Sequence, residues 1–258
     1  MVTREEKVKQ RIKAGHAKIV RRLQDAQAAD LNEADTSALV AHILDTLLGY
    51  DPLDDLTQQY KVRGLFADYG VKIDGQLVAF VEVKSARTVL NERHLRQVEQ
   101  YATSEGIDWL ILTNTVHWQV YHVTYGKPIK RDLVVDADLL GDPAPQVIDE
   151  LYYLSRESLR RKEIERLWEE RTAVRPGNIL KVLFSAPVLD RVRKELRSMT
   201  GYNASLEDLA QNLRESLSPK VLDELTEIPT LTPKRRRRRR KATAVEGAPG
   251  EGESQAPK

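Results

Sequence analysis

The chain has 258 residues, 41% of them apolar, no cysteine and a formal net charge of +2. That length accommodates one large domain, or one domain with an appendage; the absence of thiols excludes disulfides and thiolate metal sites; and no apolar run reaches the length of a membrane span or follows the charged start as a signal-peptide core. Eight positive charges stand together at residues 234–241, so the rest of the chain carries a net −6, and no global basic field draws the body to a polyanion.

Residues 1–27 place Val8, Ile12, Ile19, Val20 and Leu23 among lysines and arginines, the pattern of an amphipathic leader helix, expected to be exposed. Residues 33–48 predict the first core helix. Leu39, Val40, Ile43, Leu44, Leu47 and Leu48 form its stripe, and Gly49 stops it. Glu33, at its start, complements the positive end of the helix dipole. Residues 51–59 read as a loop, because Asp51-Pro52 breaks the helix.

Residues 67–85 (ADYGVKIDGQLVAFVEVKS) predict a hairpin about the Asp74-Gly75 signal. Two registers compete. A two-residue turn pairs Ile73 with Gln76 and sets Asp68 opposite Val81, on the apolar face. A three-residue loop with Gly75 left-handed pairs Lys72 with Gln76 and sets Asp68 opposite Phe80, on one face with Glu82 and Lys84. The side-chain period of two favours the second. It leaves Tyr69, Val71, Ile73, Leu77, Ala79, Val81 and Val83 together on an apolar face. Asp68 and Glu82 on neighbouring strands then offer oxygen ligands to a hard cation. Lys84, two residues from Glu82, points the same way and can orient a water or offset transition-state charge. The same three residues also describe a strand with a surface ion pair.

Residues 91–104 predict a second helix with Leu95, Val98 and Ala102 buried. Gln97 and Tyr101, four apart, share one of its faces. Residues 108–113 predict a short buried strand, parallel to the hairpin's second strand through a crossover, and residues 117–123 a final strand after a turn at 114–116. His94, His117 and His122 are scattered, without ligand spacing, and read as structural or surface residues. There is no phosphate-cradling glycine loop and hence no visible ATP motor. From Pro145 the chain turns helical. Residues 147–168 space Ile148, Leu151, Leu154, Leu159, Ile164 and Leu167 like heptads. Trp168 is expected to bury there, residues 179–199 to form a helix kinked near Pro187, and Ser205 to cap residues 206–217. Pro219 opens a last short helix. From Thr230 the composition is that of a disordered tail. Its basic run suits a phosphate backbone, a nuclear signal, or simple solubilising charge.

Asp68, Glu82-Val83-Lys84 and Gln97-Val98-Glu99-Gln100-Tyr101 together resemble the PD-(D/E)XK nuclease superfamily. The likeness is greatest to the N-terminal nuclease domain of type I restriction enzyme motor subunits, whose Gln-X-X-X-Tyr motif the last stretch fits. Thr113-Asn114 is similar to that group's Thr-Asn-Gly turn, with threonine at position 115. Asn32-Glu33 and Leu48-Gly49-Tyr50 also match, whereas Ala67 stands where a proline is expected. The resemblance spans roughly residues 28–215. It implies an α/β, restriction-endonuclease-like core, a small mixed sheet flanked by helices, at 28–145. Around it stand the leader at 1–27, a helical subdomain at 146–228 and the polybasic tail at 229–258. It further implies a Mg2+-dependent DNA endonuclease in the cytoplasm, with Mn2+ as the substitute ion. Asp68 and Glu82 would be metal ligands, Glu33 a third carboxylate, Lys84 the catalytic amine, and Gln97 and Tyr101 support over the site. The sequence is compatible with a chain that acts alone, as a dimer with a second copy, or beside a methylating or translocating partner, and no membrane is expected. The competing class is a nuclease-fold module that binds DNA or assembles without cutting.

Overall fold

The computed structural model describes residues 2–62 and 64–218. The chain divides into two compact units between Arg175 and Pro176. In the first, helices α1 (Arg4–Ala29) and α2 (Glu33–Thr46) precede three strands, β1 (Leu56–Val62), β2 (Leu65–Ile73) and β3 (Gln76–Val83). A 3-10 turn at Glu92–His94 leads into α3 (Leu95–Glu105). Strands β4 (Trp109–Thr113), β5 (His117–Thr124) and β6 (Lys130–Asp138) follow, then helices α4 (Ala144–Tyr153), α5 (Arg156–Arg160) and α6 (Glu163–Ala173). The six strands lie in sequence order in one sheet. Neighbours are antiparallel except β3 and β4, which are parallel across α3. The sheet is therefore mixed and flanked by helices, as expected.

Its two faces carry separate apolar layers. One joins Tyr69, Val71, Val81, Ile111 and Val120 to residues of α1, α2, α4, α5 and α6. The other joins Phe80, Leu110, Leu112 and Val123 to Leu95, Val98 and Ala102 of α3, the stripe read from the sequence. Each Leu, Val, Ile or Phe side chain among them withdrawn from water contributes roughly 1.5–3 kcal/mol, which is what holds α3 across the strands.

The leader is not a solvated helix. Thr3 and Glu6 form a capping box at its start, and Val8, Ile12, Ile19 and Leu23 are at most 4% exposed. Arg11 donates to the carbonyls of Leu47 and Leu48 at the end of α2 and pairs with Glu157, so α1 is built into the core. Two strands escape the sequence reading. β1 occupies part of the expected loop, and β6 pairs with β5, so residues 117–123 are not the last strand. Both are edge strands rich in Gln, Lys, Arg and Asp. Their polarity blunts an open edge and erases the hydrophobic signal.

The heptad-spaced stretch is built from three helices. Ser155 caps α5 by accepting from the Ser158 N–H, and Lys162 turns left-handed before α6. Ile148, Leu151, Leu154, Leu159 and Ile164 are all buried. The Trp168 ring stacks on His122 at 3.7 Å, and its indole N–H donates to Asp132. In the second unit the expected kinked helix is two, α7 (Pro176–Leu183) and α8 (Ala186–Thr200). Ser185 stands at the cap of α8 and Pro187 in its first turn, where a missing N–H costs nothing. Ser205 caps α9 (Leu206–Glu215) as expected. The helix expected after Pro219 and the polybasic tail lie outside the described residues. Among those described, no helix is long and apolar enough to cross a membrane.

Candidate active site

The hairpin closes with two residues, not three. Ile73 pairs with Gln76, and Asp74 and Gly75 take φ of 50° and 80°, as a type I′ turn requires. Alone, that turn would drive Asp68 toward the apolar face. A bulge corrects it. Lys72 pairs with Leu77 but Val71 pairs with Ala79, so β3 has one extra residue, Val78. The register then runs Gly70 to Phe80 and Tyr69 to Val81, and one step on Asp68 comes level with Glu82. The face-sharing inferred from the period of two is realised, by a device other than the expected loop. Leu77 pays the difference, packing beside Phe80 while Val78 joins the opposite layer.

At this end β2 and β3 part. Asp68 Oδ2 accepts the Val83 N–H at 2.7 Å, and the Lys84 N–H turns to the Thr113 carbonyl at 2.8 Å. The Lys84 Nζ lies 2.7 Å from Glu82 Oε1 and 3.6 Å from Glu33 Oε1. Glu33 is placed by tertiary contacts. Tyr69 donates its hydroxyl to the Ser37 carbonyl, one turn along α2. The Ala86 N–H donates to Leu31 O, and Arg87 to the carbonyls of Gln27 and Ala28. These bonds clamp the chain after Lys84 to the junction of α1 and α2.

Three carboxylates thus share one ammonium. Glu82 is 4% exposed. Burial lifts its carboxyl to about 7; the Lys84 hydrogen bond opposes that, and Asp68 and Glu33 add to it. Burial also raises Asp68, against the pull of the Val83 N–H. For Lys84 burial favours the neutral amine, but Glu82, Glu33 and Asp68 outweigh it and the pKa rises. The lysine stays charged while the acids remain in surplus. Asp68 and Glu82 carry the oxygens a hard cation uses. Glu33 reaches Lys84, and its side chain is 62% exposed. Among the described residues no group of three or more His, Asp or Glu side chains is arranged as a ready-made metal site. Gln97 and Tyr101 fall on α3; their side chains lie outside the described set.

Residues 40–133 match the family model of the type I restriction enzyme R protein N terminus. The match bears out the resemblance drawn from the motifs. It contains Asp68, Glu82, Lys84, Gln97 and Tyr101; Glu33 falls outside it. No curated protein and no solved structure matches the chain.

The family's Thr-Asn-Gly turn has a structural counterpart. Asn114 Oδ1 accepts the N–H groups of Val116 and His117, and its amide donates to the Thr88 carbonyl. Thr115 stands at φ 76°, where glycine is at ease and a β-branched residue is strained. His94 was read as a bystander. It lies within electrostatic reach of Lys84 and Glu33. Only the fold could show this, since ten residues separate His94 from Lys84 along the chain.

Proposed function

We propose that the chain is a Mg2+-dependent nuclease that hydrolyses DNA phosphodiester bonds, an endonuclease related to type I restriction R proteins. The supporting observation is the meeting of Asp68, Glu82 and Lys84 where β2 and β3 part. Asp68 and Glu82 would hold the ion, with Glu33 as an outer carboxylate and Mn2+ as a substitute. A cation held there would supply Lewis acidity and would lower the pKa of a water bound to it. Lys84, kept charged by the surrounding acids, orients the attacking water or offsets charge on the phosphoryl oxygens. The Val83 N–H fixes the Asp68 carboxylate, so that little reorganisation accompanies reaction. Gln97 and Tyr101, both on α3, would support the site, as the Gln-X-X-X-Tyr resemblance implies. The family match supports DNA as substrate and a restriction-modification partner, methylating or translocating.

The test is incubation of supercoiled DNA with the purified chain and Mg2+ or Mn2+, with EDTA as control. Nicked or linear product is expected, and Asp68→Asn should abolish it. Absence of product with either ion, or product undiminished in Asp68→Asn, would overturn the proposal. One observation favours a second reading: Glu82 already pairs with Lys84, and among the described residues Asp68, Glu82 and Glu33 do not form a group arranged to hold a metal ion. A module that binds DNA without cutting would show no heat in a Mg2+ titration yet retain DNA.

A further inference from the structure

A nuclease body with surplus negative charge needs local cations wherever a phosphate backbone is to approach. The first unit has such a place around the turn that carries His94, which lies within electrostatic reach of Lys84 and Glu33. A cleft of about 520 Å3 is lined by Asn91, Arg93, Arg96 and Arg131. Arg93 and Arg96 stand three apart across the junction of the 3-10 turn and α3, a spacing that puts both on one face. Both are exposed, and among the described residues neither makes an ion pair. Arg131 contrasts with them: its guanidinium is held by Glu99, which is 6% exposed. Among the described residues the cleft therefore gathers three guanidinium groups, one of them paired with a buried carboxylate.

The turn carrying these arginines is tied by its own bonds. Asn91 Oδ1 accepts the Arg93 N–H at 3.0 Å, and the Asn91 N–H donates to His94 Nδ1 at 3.3 Å. With Nδ1 accepting, the neutral His94 ring carries its proton on Nε2. His94 sits between the two arginines in sequence and faces the field of Lys84 and Glu33. Arginine forks suit phosphate oxygens better than any other side chain, and Arg93 and Arg96 make no ion pair with the described residues.

We propose that Arg93 and Arg96, with His94 on the side toward Lys84, form a contact surface for the phosphate backbone of the nucleic acid whose strand enters the carboxylate site. The direction of that strand rests on the nuclease reading; the phosphate contact does not.

The experiment is fluorescence anisotropy of the full chain on a short labelled duplex, in EDTA, across a salt series. Arg93→Ala/Arg96→Ala should weaken binding on the order of tenfold at low salt. It should also make the plot of log affinity against log salt shallower by about 1.8, or about 0.9 for each lost contact. Residues 234–241 contribute equally to both proteins, so the difference isolates the cleft. Arg191→Ala/Lys194→Ala, which removes the same charge from α8, should leave the slope unchanged. An unchanged slope in the double variant, an equal change in the control, or no DNA binding by the parent chain would each overturn the inference. So would tripolyphosphate occupying the cleft while DNA binds undiminished, since that marks a small-anion pocket. If the parent binds but cuts nothing, and the double variant shows the shallower slope, the surface stands and only the catalytic reading falls. If cutting persists and the slope does not move, the reverse holds.

Discussion

The two ends of the β2–β3 hairpin carry charge in opposite ways. At the turn, the acids are matched. Asp55, 2% exposed, takes two hydrogen bonds from Arg156 at 2.6 and 3.2 Å. Asp74 pairs with Arg160 at 2.9 Å, and Glu157 with Arg11 at 2.6 Å. At the other end Asp68, Glu82 and Glu33 share Lys84. The matched end acts as a structural clasp that joins the sheet to α5 and α1. The unmatched end stores repulsion that another cation would relieve, as a metal-using site needs. Both ends contain buried carboxylates, so burial alone does not mark function; the sign and count of the neighbours do.

The largest test of that contrast is Lys84→Ala. Loss of the one ammonium should reduce DNA cleavage by on the order of 100- to 1,000-fold or more. Stability should change by less than about 1 kcal/mol, because Glu82, already raised to about 7, neutralises when its partner goes. Cleavage rates paired with denaturant melts check both. Arg156→Ala should do the opposite. It strands Asp55 in the interior and should cost about 3–5 kcal/mol, read as a lower midpoint in urea.

The pH dependence of stability should separate the two ends next. Glu82 has its folded pKa raised from 4.5 to about 7. Its contribution is fully present below about pH 4.5 and is lost as pH rises through about 7. Burial opposes ionisation of Glu157, yet Arg11 holds its pKa below 4.5. Its contribution is present above pH 4.5 and is lost as pH falls through the lowered value. In metal-free protein, Glu82→Gln should remove a gain on acidification, and Glu157→Gln a loss. Melts at about pH 8, 6 and 4 measure both slopes; slopes of the same sign in the two variants would erase the distinction. The smallest effect concerns Thr115. Its φ of 76° and its buried hydroxyl, without a hydrogen-bond partner among the described residues, predict that Thr115→Gly raises stability by about 1 kcal/mol, visible as a higher melting temperature.

Much of this was legible in the order of residues. The apolar stripes of α2 and α3 and the alternation of β2, β3 and β5 announced a helix-flanked mixed sheet. The Glu82-X-Lys84 spacing guaranteed one face for those two side chains, because strand geometry is local. The requirement that Asp68 join them also followed from periodicity, since the other parity buries a carboxylate in an apolar layer. How that parity is met was not legible. The Asp74-Gly75 turn obeys its own backbone preference, and the Val78 bulge is set by pairing across strands, where no single residue announces it. The polar edge strands β1 and β6 stayed hidden because their pairing rests on backbone hydrogen bonds that side-chain patterns do not record. Burial of α1, the approach of Glu33 to Lys84 and the placing of His94 within reach of that pair depend on contacts between segments far apart in the chain. Local rules determine which faces a segment has; only packing decides what each face meets.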